Sequence, residues 1–325
     1  MGRVEKPLIS VVVLSHNYGR FLPQCLESVL NRQRGVGSLE LIVIDDASED
    51  ETPDLAKQYQ SDSRVKWIRH SRNWGHIESA NEGLALSEGD YILRLDADDF
   101  LAEGFFVSAL AAFRKYPDAG LVYGNFDLMD EDSRITKKAA DQIHGGKDFV
   151  GFEVEKLIFN NFICPSAILV RREAWESVGF RYDENVFYGE DWWTWLRIGL
   201  KNPFVYLNQV VSRFRVHSRS LRGTLLRSGR TESSIRYVLD SFFPLEGVPD
   251  SLVSRRAEVY VKHFRWLADV YFSAGMRTDC LRCLGEARRW DPCQRVRFSW
   301  LLRGLTASVP PAAYRRCRAV YEWFT

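Results

Sequence analysis

The sequence predicts a doubly wound, mostly parallel α/β sheet followed by an all-helical C-terminal appendage. Three observations carry that reading. Short Val/Ile-rich runs alternate with segments of helical periodicity through the first hundred residues. Polar clusters follow three of those runs directly: Ser15-His16-Asn17, Asp45-Asp46 and Asp96-Ala97-Asp98-Asp99. After about residue 221 the periodicity is helical only.

Leu8–Leu14 reads as a buried strand, and Phe21, Leu22, Cys25, Leu26, Val29 and Leu30 recur at helical spacing after it. Leu39–Ile44 is a second strand. A helix from about Thr52 follows, with Pro53 in its first turn, where a missing N–H costs nothing. Val65–Ile68 is a third strand, Gly75–Leu86 a helix and Tyr91–Leu95 a fourth strand. Strand–helix alternation of this kind gives right-handed crossovers and a parallel sheet. Ligands of such sheets bind beyond the carboxyl ends of the strands, where all three polar clusters fall.

Further on, a helix is expected near Glu103–Tyr116, strands over Gly120–Asp127 and Ile163–Val170, and a loop over 130–150. A short helix over Glu173–Val178, an aromatic helix over Trp192–Leu200, and strands over Val205–Leu207 and Ser212–Val216 complete this part. The expected organisation is a donor half over 1–100, an acceptor half over 101–221 and a helical appendage over 222–325.

Net charge is +1, yet residues 1–212 hold 23 Lys and Arg against 33 Asp and Glu, and residues 213–325 hold 21 against 10. Of those 21, 20 are Arg. A basic tail either docks on the acidic body or meets an anionic surface such as phospholipid. No nucleic-acid-binding motif accompanies the charge, so nucleic acid is not an expected partner. The longest apolar run near the start, Leu8–Leu14, is far short of the about 20 residues that cross a bilayer. No signal-peptide or myristoylation pattern opens the chain. The expectation is a cytoplasmic chain, peripheral at most on the cytoplasmic face of the inner membrane, with homo-oligomer formation left open. Cys280-Leu281-Arg282-Cys283, with Cys293 and Cys317, has the thiols of a zinc site but lies on amphipathic helix, so apolar packing is the expected role.

Three carboxylates crowded at Asp96, Asp98 and Asp99 repel one another. A hard divalent cation, Mn²⁺ or Mg²⁺, relieves that repulsion. Neither GxxxxGK[ST] nor GxGxxG follows the first strand, so phosphates must be held mainly through the metal.

Five segments, "ISVVVLSHN" (9–17), "ELIVIDDASEDET" (40–52), "NWGHIESANEGLALSEGDYILRLDADDFL" (73–101), "GEDWWTWLRI" (189–198) and "FRVHSRSL" (214–221), stand in an order and spacing that resembles the family 2 glycosyltransferases of the GT-A, Rossmann-like fold. The resemblance covers residues 8–221 and not the helical tail. It implies an inverting, metal-assisted transfer of a sugar from a nucleotide-diphosphate sugar to a hydroxyl of a glycan or lipid-linked acceptor. It also implies a role in bacterial surface polysaccharide synthesis. UDP-sugars rank ahead of GDP- and dTDP-sugars as donor. By position, Asp46 resembles the acid that reads the nucleotide base, with Ser15, His16 and Asn17 lining the same pocket and Asn73 and Gly75 in the loop beside it. His16 stands where many relatives have Tyr. Asp96 and Asp98 resemble the DxD motif that meets ribose and diphosphate, and Asp98, Asp99 and His217 the metal ligands. Asp191 matches the catalytic base, with Glu190 and Trp192 in the same acceptor-side loop. The chemistry agrees, since a sugar hydroxyl is a weak nucleophile and needs a carboxylate to take its proton.

Blander roles stand beside these. Asp45, Ser48 and the Glu190-Asp191 pair suit helix caps, Asp96–Asp99 suits a turn, and His217 suits an ordinary core histidine. Of Trp192, Trp193 and Trp195, two are expected in the core and one against an acceptor sugar. His70, His76, His144 and His263 are read as structural. A sugar-nucleotide pyrophosphorylase would carry a Gly-rich basic loop after the first strand, where this chain has Ser-His-Asn-Tyr-Gly. A binding protein without catalysis would show damage at Asp98 or Asp191, and both are intact.

Overall fold

The computed structural model describes residues 8–140, 143–217 and 221–291. It divides the chain into two compact units, 1–221 and 222–325.

The first unit opens with the expected alternation: β1 (Leu8–Ser15), α1 (Leu22–Leu30), β2 (Ser38–Asp45), α2 (Thr52–Tyr59), β3 (Val65–Arg69), α3 (His76–Leu86) and β4 (Tyr91–Asp96). The four strands lie side by side in the order β3-β2-β1-β4, all parallel. Ile9, Val11, Val12, Val13, Leu41–Ile44, Ile92, Leu93 and Leu95 are fully buried, as expected for parallel strands covered on both faces. In register Ser15 pairs with Asp45, Leu14 with Asp96 and Asp45 with Arg69. One edge of the sheet therefore carries all three polar clusters.

The unit continues through β5 (Phe100–Leu101), α4 (Phe105–Lys115), β6 (Leu121–Met129), β7 (Ile135–Lys137), β8 (Phe149–Gly151), α5 (Val154–Leu157), β9 (Ile168–Arg171), α6 (Arg172–Glu176), α7 (Glu190–Gly199) and β10 (Phe204–Arg215). The sheet extends as β4-β9-β6-β10-β5, with β9 antiparallel to both neighbours and β10 parallel to β6. It is a mixed, mostly parallel sheet of ten strands.

Three local expectations change. The run Ile163–Val170 is strand only from Ile168, because Pro165 starts a single 3-10 turn, Pro165–Ala167, with Cys164 extended before it. The two strands expected over 205–216 are one strand, β10, with register shifts around Val210 where polar Asn208 and Gln209 interrupt the apolar run. The loop over 130–150 contains β7, paired with β6, and β8, paired with β10. Each is three residues long, too short to print a periodic pattern.

The second unit is helical throughout the described residues: α8 (Leu221–Arg227), α9 (Arg230–Phe242), α10 (Asp250–Val253), α11 (Arg256–Ser273) and α12 (Arg277–Trp290). Ile235, Val238, Leu239 and Phe242 form the buried face of α9, and Val259, Phe264, Leu267 and Tyr271 that of α11. Glu232 sits inside this unit, accepting from Arg282 at 2.5 Å and from Arg236 at 3.3 Å. Cys280 and Cys283 are fully buried, and burial pushes the Cys283 thiol up. Cys293 and Cys317 lie outside the described residues. Among the described residues no helix is long and apolar enough to cross a membrane.

Candidate active site

The parallel half of the sheet delivers the site from its carboxyl edge. After β1 the chain turns through Asn17, whose φ of 61° is left-handed, a conformation Asn tolerates. Its N–H donates to Ser48 Oγ at 2.9 Å and its Oδ1 accepts from Glu49 N at 2.8 Å. These bonds tie the turn after β1 to the turn after β2. His16 is exposed and donates from Nδ1 to the Asp46 carbonyl at 2.7 Å. Ser15 is buried, and its Oγ has no hydrogen-bond partner.

Asp46 is held from three sides. Trp74 N donates to Oδ1 at 2.7 Å, Gly75 N to Oδ2 at 2.8 Å, and His70 Nδ1 to Oδ1 at 2.8 Å. Burial raises its pKa, but these donors outweigh it and hold the carboxyl below its ordinary value. Gly75 has φ 92° and open space where a Cβ would stand, so backbone conformation rather than crowding requires glycine there. Asp46 thus fixes the loop that carries Asn73 and Gly75. His70 is no isolated core histidine. Its Nε2 faces Glu82 at 2.5 Å, its ring stacks on the exposed Trp74 at 4.1 Å, and the two carboxylates outweigh burial to raise its pKa.

At the end of β4 the acids separate into different roles. Asp98 lies 2.8 Å from His217 Nε2. Tyr18 and Phe21 close over the histidine, each with its ring centroid 5.6 Å away. Asp99 is 1% exposed, accepts from Ser166 Oγ at 2.5 Å and Arg215 N at 2.8 Å, and is pushed well up by burial and by Asp98 and Asp96. Both oxygens of Asp99 are thus engaged within the protein, by the Ser166 hydroxyl and by the backbone of β10. Burial and Asp98 also raise Asp96, against the lowering effect of Arg94, whose guanidinium is 3.6 Å away. Arg215 clamps the loop: Nε donates to the Asp98 carbonyl at 2.8 Å, Nη1 to the Asp130 carbonyl at 3.1 Å and Nη2 to Gln24 Oε1 at 2.8 Å.

Across the crevice, Gly189 (φ 73°) turns the chain into α7 so that Glu190 and Asp191 occupy its first turn. Both carboxyls are buried, but they titrate apart. Burial raises Glu190, yet Arg94 at 2.5 Å and His76 at 3.8 Å pull it down to about 2. Burial and the charge of Glu190 push Asp191 up to about 7. Two neighbouring carboxyls set apart by environment suit proton transfer.

The Trp expectation is corrected. Trp192, Trp193 and Trp195 are all buried, and Trp192 Nε1 donates to the Leu157 carbonyl at 2.7 Å. At helical spacing on a helix enclosed within its unit, none offers a face to a sugar. Sequence reasoning missed Arg94 and Arg215 and read His70 and His76 as structural. Arg94 had a signal: it interrupts the apolar run of β4, and a charge there needs a partner.

Among the described residues no group of three His, Cys, Asp and Glu side chains is placed to hold a metal. Asp98 and His217 nevertheless supply a carboxylate oxygen and an imidazole nitrogen side by side, a donor pair that suits Mn²⁺ or Mg²⁺ once donor oxygens complete the shell.

A carboxyl-edge crevice lined by paired acids, on a mostly parallel sheet of this order, is the architecture of the GT-A fold. The family model "Glycosyl transferase family 2" matches residues 10–179, and the chain belongs to that family and is a glycosyltransferase. An uncharacterized glycosyltransferase of Methanocaldococcus jannaschii is 26% identical over 67% of this chain and 74% of its own length. A PGL/p-HBAD biosynthesis glycosyltransferase of Mycobacterium bovis is 30% identical over 53% of this chain. The match spans 62% of that relative. The crystal structure of S. aureus TarS residues 1–349 with UDP-GlcNAc superposes with a TM-score of 0.71 over 98% of this chain and 92% of that one, at 16% identity. That likeness concerns the fold.

Proposed function

We propose that the protein is an inverting glycosyltransferase that moves a sugar from a nucleotide-diphosphate sugar to a hydroxyl of a glycan or lipid-linked acceptor, with Asp191 as the general base. The observation that carries this reading is the Glu190–Asp191 pair. Two adjacent buried carboxyls are driven apart until one sits near neutrality, where a base works best. Asp191 takes the acceptor proton as its oxygen attacks the anomeric carbon opposite the departing diphosphate, which inverts the centre. Glu190, held ionised by Arg94 and His76, is too weak a base to compete.

Residues 1–100 form the donor half in this reading. Ser15, His16, Asn17, Asp46, Asn73 and Gly75 surround the nucleoside, and Asp96 and Asp98 meet ribose and diphosphate. Residues 101–221 form the acceptor half, and 222–325 a helical appendage. A divalent cation, Mn²⁺ or Mg²⁺, would be held by Asp98 and His217 and would offset charge on the leaving diphosphate. A UDP-sugar is the first donor to test, supported by the UDP-GlcNAc bound in the TarS structure. A role in bacterial surface polysaccharide synthesis rests on the family resemblance.

The test is Asp191→Asn, assayed with Mn²⁺ after a thermal-shift screen of UDP-, GDP- and dTDP-sugars has identified a stabilising donor. The variant is expected to keep the nucleotide-induced shift and to lose about 10²–10⁴-fold in transfer. Turnover near the parent level would remove Asp191 as the base.

A further inference from the structure

Arg94 is the one arginine on β4, and its place is unusual for a cation. It is 5% exposed in a strand otherwise lined by Ile92, Leu93 and Leu95. Its Nη1 meets Glu190 Oε1 on α7 at 2.5 Å, and its Nη2 stands 3.6 Å from Asp96 Oδ1. Its guanidinium lies 5.2 Å from the centroid of the Tyr182 ring, and its Nε is buried with no partner. A single planar fork therefore reaches from the strand that ends in the donor acids to the helix that starts with the base. Lysine, a point charge on a flexible stem, could pair with Glu190 but has no second nitrogen for Asp96.

We propose that Arg94 is a positioning residue that joins the donor site to the base: one buried guanidinium pairs with Glu190 beside Asp191 and reaches Asp96 at the donor edge, so that the two halves of the site are set in one frame. The proposal rests on Asp191 being the base and adds the group that tunes it.

The physical argument is a charge count in a dry pocket. Around the Glu190–Asp191 pair stand Arg94 and Asp96 from β4, His76 from the start of α3, the Tyr182 hydroxyl and the Cys164 thiol. Asn161 hydrogen-bonds Asp191 from the loop before β9. Two adjacent buried carboxyls with no cation would share one proton. Arg94 makes the sharing unequal. It pairs directly with Glu190, so the ionised state falls there and the proton falls on Asp191. The same cation limits the rise at Asp191 by direct attraction. Removing the Glu190 charge should therefore lower the proton affinity of Asp191, and removing the Arg94 charge should raise it. A residue that merely fills space moves neither.

The readout is the titration midpoint of Asp191, followed by ¹³C NMR on protein labelled at the Asp carboxyl carbon and assigned with Asp191→Asn. This needs neither donor nor acceptor. A failure here is therefore distinguishable from a failure of the transfer assay on Asp191→Asn. Glu190→Gln, which keeps shape and loses charge, is expected to move the midpoint down by about 1–2 units. Arg94→Gln is expected to move it up by a similar amount, and Arg94→Lys to return it toward the parent. Midpoints that move in the same direction in Glu190→Gln and Arg94→Gln, or that stay at the parent value, would overturn the proposal. If Arg94→Gln does not fold, Glu190→Gln and Arg94→Lys still decide: no downward shift in the first, or a Lys midpoint far above the parent, overturns it.

Discussion

At the scale of single residues, the site stores electrostatic cost where it needs reactivity. Asp191 binds its proton more tightly in the folded chain, with a pKa of about 7, than an unfolded Asp with a pKa of about 3.9. Its contribution favours folding at low pH and is lost as pH rises through about 7. Glu190 behaves in the opposite sense. Its pKa of about 2 lies below the unfolded value, so its contribution is present above that value and is lost only on strong acidification. Between about pH 5 and about pH 8 Asp191 changes the balance and Glu190 does not. Asp191→Asn should therefore melt progressively higher than the parent across that window, by about 2–4 °C for each kcal/mol released. Calorimetry at both ends of the window checks this, and a constant gap would mean that the Asp191 carboxyl carries no penalty. If Asp191 is the base, a fold stabilised by its removal is the expected trade between stability and activity.

At the scale of elements, the geometry of the crevice depends on close approach between layers. Helix α3 lies on the parallel sheet through Gly83, where a Cβ would come within 2.3 Å of Val12 Cγ1. That contact sets how near α3 can sit. The same helix begins at His76, which faces Glu190, and carries Asn81, whose Oδ1 accepts from Tyr182 N at 2.7 Å. Gly83→Ala must push the helix or the strand outward, and overpacking of this kind costs about 1–3 kcal/mol. A fall in the denaturation midpoint of that size, with nucleotide binding weakened as His76 and the 73–75 loop shift, is expected. Unchanged stability would mean that the layer yields without cost. Helix α7 is a second example. Its three tryptophans anchor it from within, so the two acids at its start are held by the core and not by a surface loop.

At the scale of the whole molecule, basic charge collects toward the end of the chain. Residues 292–325 carry six arginines and one acidic residue, Glu322. Basic segments near anionic lipid gain about 1 kcal/mol per Lys or Arg. Removing 292–325 is expected to lower binding to phosphatidylglycerol vesicles at low salt in a flotation assay, while the thermal shift with UDP and Mn²⁺ stays. Undiminished vesicle binding would leave this segment without a membrane role.

The alternation of apolar runs and helical segments over 8–96, the polar clusters after each strand, and the acids Asp46, Asp98 and Asp191 were legible from the chain, because a strand's burial and a parallel sheet's ligand edge are local properties repeated in sequence. The mixed order of the far half was not. The strands β7, β8 and β9 are three or four residues long, and their pairing is decided by neighbours far along the chain. The same holds within the site. That the chain had paired carboxyls could be read in "DADD" and "GED". Which of them is charged, which is turned inward to Ser166 and Arg215, and which waits near neutrality depends on Arg94, His76 and Arg215 arriving from other elements. Sequence by itself determined which groups are available. Tertiary structure alone assigned their charges, because a carboxyl's proton affinity is set by the dielectric and the partners around it, and those come from residues up to 119 positions apart.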